Sequence, residues 1–121
     1  MRPAIAIGIT AALLSAAPLA PAAARSAYDG PWSLDFVTQR GACDQAYHFD
    51  VNINNGIVTH PNLVRFRGRV TAGGAVRASV AVQDKYAAGA GRLTMTSGRG
   101  TWSGESAGAR CSGYWTAQRA G

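Results

Sequence analysis

The chain has 121 residues, 15 glycines, two cysteines and a formal charge of +6, with 47% apolar and 15% charged residues. That length holds one small domain. It carries no Walker loop, G-x-G-x-x-G, C-x-x-C or haem-attachment motif, so it lacks the sequence marks of the common nucleotide, dithiol and c-type haem chemistries. The excess of base over acid favours anionic partners such as lipopolysaccharide, acidic polysaccharide, nucleic acid or an acidic protein.

The first predicted element is an export signal over residues 1–24. Met1-Arg2 is a short basic start, Ala4 to Ala17 is an apolar stretch of signal-peptide length, and Ala22-Ala23-Ala24 offers a cleavage site before Arg25. The apolar stretch is short for a transmembrane helix, although an uncleaved anchor is the rival reading. No cysteine follows closely, which argues against a lipoprotein. The basic start and alanine-rich boundary look bacterial, so the expected destination is the periplasm or the medium. Cleavage would leave a single domain of 97 residues, 25–121, with no further transmembrane segment. Arg2 departs with the signal, which leaves 11 basic against 6 acidic residues, a net +5.

From Trp32 onward, apolar residues recur with period two. Trp32, Leu34 and Phe36 alternate with Ser33, Asp35 and Val37; Tyr47, Phe49, Val51 and Ile53 alternate with His48, Asp50 and Asn52. Val64, Phe66 and Val70 alternate with Arg65, Arg67 and Arg69, and Val76, Ala78, Val80 and Val82 with Arg77, Ser79 and Ala81. Such alternation marks half-buried antiparallel strands. Asn55-Gly56, Gly73-Gly74 and Gln83-Asp84 suit tight turns, as do Arg99-Gly100 and the stretch from Glu105 to Ala109. Eight strands are predicted, over 31–39, 45–53, 57–60, 64–71, 75–82, 86–95, 100–104 and 111–118. The reading is weakest over 86–104, where Gly89, Gly91 and Gly98 lower strand propensity.

An even number of short strands joined by tight turns predicts an all-β, up-and-down meander closed into a barrel, with a two-sheet sandwich as the alternative. Closure brings the start of the last strand beside the junction of the first two. Cys43 lies at that junction and Cys111 opens the last strand, so the two should form one structural disulfide. A loop of 68 residues is worth roughly 4 kcal/mol in the chain-entropy model. The predicted inward set includes Val64, Met95 and all three Trp and three Phe residues. These should largely fill so narrow a barrel and leave little room for a ligand.

Gly104-Glu105-Ser106-Ala107-Gly108 matches G-x-S-x-G, but no His, Asp or Glu follows Ser106 and no β-α alternation supplies the strand-to-helix elbow that motif needs. His48 and Asp50 share a strand face and His60 could approach them, yet the spacing is not that of a recognised metal site. Asp35 and Asp50 could be neighbours on an outer face as paired carboxylates, but six acids scattered over a basic chain make glycoside chemistry unpromising. No catalytic residue, metal ligand or cofactor is therefore assigned. The best surface candidate is an anion-binding stripe of Arg65, Arg67, Arg69 and Arg77, with no acid between its first and last members. Nucleic acid would call for aromatics among those arginines, and Phe66 alternates to the other face.

Five short motifs in order run Asp29-Gly30-Pro31-Trp32-Ser33, Gly41-Ala42-Cys43-Asp44, Gly89-Ala90-Gly91-Arg92-Leu93, Gly100-Thr101-Trp102-Ser103-Gly104 and Cys111-Ser112-Gly113-Tyr114-Trp115. With the two cysteines, that order resembles small uncharacterised secreted proteins of alphaproteobacteria. The resemblance covers nearly the whole domain and implies no functional residues. The Gly-Thr-Trp strand pattern also resembles avidin-type barrels, but no biotin-pocket set carries over. The expectation is an exported, non-catalytic binding module for an anionic glycan, lipid or protein, its oligomeric state open. The alternatives are a periplasmic protease or lysozyme inhibitor presenting loops or the segment from Arg25 to Pro31, and a small-ligand barrel.

Overall fold

A computed structural model describes residues 26–63 and 65–121. The expected signal segment, its cleavage site and the predicted core position Val64 lie outside the described residues. Eight strands follow in order: β1 (Gly30–Arg40), β2 (Ala46–Asn54), β3 (Ile57–Thr59), β4 (Arg67–Val70), β5 (Ala75–Val82), β6 (Lys85–Leu93), β7 (Ser97–Ser106) and β8 (Ala109–Arg119). Each pairs antiparallel with the next, and β8 returns to pair with β1 from Trp32↔Arg119 to Arg40↔Ser112. The meander is therefore a closed barrel, and the sandwich alternative falls.

Local chemistry explains the punctuation. Asn55 and Gly56 take φ of 56° and 80°, the left-handed pair that lets a two-residue turn follow strand twist. Most boundaries shift by one to three residues, and two regions differ in substance. β4 begins at Arg67, so Arg65 lies in the loop before it, while Phe66 in that loop is 3% exposed and donates its backbone N–H to Leu63 O. Arg99-Gly100 is strand interior, and the chain instead reverses around Thr94 to Thr96, leaving Met95 58% exposed rather than inward. β7 keeps its pairing because its glycines sit opposite strand partners, with Gly91↔Gly100 and Gly100↔Trp115 in register. Those positions are bare because of both the neighbouring backbone and the indole: a Cβ on Gly91 would stand 2.5 Å from Trp115 Cζ2 and closer still to Arg99 O, and one on Gly100 2.6 Å from Trp115 Cε2 and closer still to Ala90 O.

The barrel's two ends are built differently. At one end, Trp32 is 1% exposed, its Nε1 donates to Tyr28 O at 2.8 Å, and Tyr28 is itself buried. Arg119 lies over the Trp32 ring at 4.8 Å and donates to the carbonyls of Ala27, Asp29 and Met95, each at 2.8 Å. Val51, Ile53, Val70, Val76, Leu93 and Trp115 complete this plug. The segment from Ser26 to Pro31 is thus part of the seal, with Ala27 and Pro31 still exposed on its outer side. At the other end, Cys43 in the β1–β2 connection is bonded to Cys111 in β8, with Cα atoms 6.0 Å apart. Along the strands, apolar residues face the lumen and residues such as Asp50, Arg69, Arg77, Arg99 and Thr116 face out. That polarity is the inverse of a bilayer-spanning barrel. Among the described residues no helix is long and apolar enough to cross a membrane.

Candidate functional site: a basic wall and an apolar cup

Strand alternation fixes the basic wall. Val70 and Val76 point inward as a register pair, so their neighbours Arg69 and Arg77 point outward directly opposite one another. Arg67 precedes Arg69 on the same face. Two residues that sequence reasoning passed over extend the stripe: Arg92 on β6 stands opposite Arg99 on β7, and Arg92 is diagonal to Arg77 through the Arg77↔Ala90 pair. The signal that could have found them was the same period of two, masked by glycines at the inward positions. Five arginines therefore run across β4–β7, and Arg65 adds an exposed sixth in the loop. Arg92 donates to Gly73 O at 3.0 Å, which holds its guanidinium along the wall. The ion pairs among the described residues both belong to His48, so none of these arginines has a carboxylate within 4.0 Å.

The facing wall carries the opposite character. On β1 and β2, His48 Nδ1 and Nε2 contact Asp35 Oδ1 at 2.8 Å and Asp50 Oδ1 at 2.9 Å, while Ser33 Oγ donates to Asp50. The hydrogen bonds that the ring N–H groups donate to the two carboxylates, Asp35 first, raise the imidazole pKa above its ordinary 6.5. Asp35 and Asp50 are thus neighbours as expected, but both are engaged by one histidine. His60 does not join them: its Nδ1 accepts from the backbone N–H groups of Asn62 and Leu63, and its ring packs against Phe49 and Phe66. Ser106 ends β7 at a β-hairpin whose turn is Ala107-Gly108, so G-x-S-x-G here builds no nucleophile elbow.

The disulfide end is an open apolar cup of about 320 Å³. The expected filling of the barrel holds only for its plugged half, where a space of about 40 Å³ remains. Phe36, Phe49, Leu63, Val80 and Trp102 wall the cup. Phe36 packs on Phe49 and Trp102 at ring distances of 5.6 and 6.1 Å, and Tyr47 meets Trp102 edge-on at 6.4 Å. Trp102 is fixed by donating Nε1–H to Val37 O at 3.1 Å, next to the register shift between Thr38 and Arg40. Val80, Val82 and Ala87 are too short to cross the mouth as the rings do elsewhere. Lys85, the sole lysine of the chain, sits on its lip with Tyr86 and Glu105.

Comparison with family models, curated proteins and solved structures finds no match for this chain. The class is defined by the fold itself: a small, disulfide-stapled, eight-stranded meander barrel.

Proposed function

We propose that the protein is an exported binding module that engages an anionic envelope or extracellular component, glycan, lipid or protein, through its basic outer wall, and that it binds rather than catalyses. The observation that carries this reading is the contiguity of Arg67, Arg69, Arg77, Arg92 and Arg99 without an ion-pair partner. Guanidinium groups set directly opposite each other repel, so a face built for stability alone would intersperse acids. An anion spanning the pairs relieves that repulsion and takes two-pronged hydrogen bonds from each fork. Because β1–β2 lies across the ring from β5–β6, the acidic wall faces away and orients the approach to an anionic surface. The disulfide fits an oxidising compartment. Residues with catalytic potential are otherwise employed, His48 between two carboxylates and His60 among aromatics.

The test is retention on immobilised sulfated polysaccharide and on vesicles with anionic lipid, across a salt gradient. Near an anionic surface each arginine is worth about 1 kcal/mol, so the triple reversal Arg67→Glu, Arg69→Glu and Arg77→Glu should weaken binding at least about a hundredfold. Arg110→Glu, on a different part of the outer wall, should weaken it far less. Unchanged binding of the triple variant to every anionic surface sinks the proposal.

A further inference from the structure

We infer that the cup at the disulfide end is a ligand site for a medium-chain carboxylate, its hydrocarbon chain among Phe36, Phe49 and Trp102 and its head group at Lys85. The cup stands at the small end of the range for ligand pockets, roughly 300–1,000 Å³. At about 30 Å³ for a water-sized group, its volume of about 320 Å³ accepts roughly ten methylene-sized groups. Its wall is almost wholly apolar, so a chain gains by entering and a polar body does not. A wet apolar cup is costly to keep, yet this end is left open while the opposite end is sealed by Tyr28, Trp32 and Arg119.

The lip supplies the head-group chemistry. Lys85 shares the inward phase of Ala87 and Leu93 on β6, which puts its stem on the lumen side. Asp84 precedes it in the turn and Glu105 borders the cup, but neither carboxylate comes within 4.0 Å of its ammonium. Glu105 belongs by alternation to the outer phase of β7, opposite Arg110. The Tyr47 hydroxyl accepts the backbone N–H of Asp44 at 3.0 Å, which leaves its own proton to donate into the mouth. One ammonium and one phenol at the rim of a hydrocarbon cup are the complement of a fatty carboxylate.

Titration calorimetry of the oxidised protein with decanoate, octanoate and decanol decides it. Decanoate should bind at one site, and octanoate roughly tenfold more weakly for the loss of two methylenes. Lys85→Met should lower decanoate affinity about tenfold, to that of decanol, and leave decanol unchanged. Ala87→Phe, which fills the cup from its floor, should abolish both. The triple reversal of Arg67, Arg69 and Arg77 should leave decanoate binding intact, separating this site from the basic wall. Each variant is checked for an unaltered thermal transition, and Lys85 is exposed, so its replacement does not threaten the fold. No saturable binding of decanoate, equal affinity for decanol, survival of binding in Ala87→Phe, or its loss in the arginine variant would each overturn the inference.

Discussion

Asp29 shows how much a single half-buried carboxylate organises in this barrel. It accepts from Ser26 Oγ at 2.6 Å and from the backbone N–H groups of Asn55 and Gly56 at 2.9 and 3.2 Å. It thereby ties the segment entering β1 to the β2–β3 turn. These hydrogen bonds, that of Ser26 foremost, lower its pKa from 3.8 to about 2. A depressed native pKa means that the unfolded chain binds the proton first as pH falls. The contribution of Asp29 is therefore complete above pH 3.8 and drains away as pH falls through about 2. Urea midpoints measured from pH 5 to pH 2 should fall less steeply for Asp29→Asn than for the parent chain. Parallel curves would show that the carboxylate is not the source. His48 acts in the opposite sense: its raised pKa gives stability that is whole below pH 6.5 and is lost as pH rises through the native value.

At the scale of elements, β6 and β7 carry the lesson. Gly89, Gly91, Gly98 and Gly100 occupy the inward phase, and Trp115 from β8 lies across the Gly91–Gly100 pair. Gly91→Ala should cost about 1–3 kcal/mol, as overpacking does in a tight core, despite the better backbone propensity of alanine. Gly73→Ala serves as the control, since its new methyl group meets nothing within 4 Å, and it should stay within about 0.5 kcal/mol. Equal denaturation midpoints for the two variants would refute the steric account. The same glycines explain what could be read in advance. In β1, β2 and β5 large inward residues write the period of two openly, and the strands, the wall of Arg67, Arg69 and Arg77 and the closing topology follow. In β6 and β7 the inward residue is an absence, its meaning supplied by a tryptophan on another strand, so Arg99-Gly100 reads as a turn and Arg92 and Arg99 drop out of the wall. The cup was hidden for a related reason: alternation says which residues face inward, not whether the rings at one end meet across the lumen.

For the whole molecule, the two ends hold the same closed ladder by different means, and this decides how it should loosen. At the plugged end, β1 and β8 are clamped by the Arg119 fork and by the Trp32–Tyr28 hydrogen bond, which do not depend on redox state. At the cup end, the β1–β8 register shifts between Thr38 and Arg40, and the Cys43–Cys111 bond spans a sequence separation of 68 there. Cys43 N–H also donates to Cys111 Sγ at 3.0 Å, so the β1–β2 connection folds onto β8 through the sulfur pair. Replacing both cysteines by serine should cost about 4 kcal/mol of global stability, the closure entropy of a loop of this length. The loss should not be spread evenly. Below global unfolding, the cup-end amides around Thr38 and from Arg110 to Gly113 should exchange faster, while those beside Trp32 and Ala117 should keep their protection relative to the lowered global limit. Hydrogen exchange resolved by residue on the oxidised and Cys43→Ser/Cys111→Ser proteins measures this directly. A uniform rise along β1 and β8 would mean that the bond acts only on the unfolded chain. A rise confined to the cup end would mean that it also holds the mouth in shape, and decanoate affinity should then fall with it.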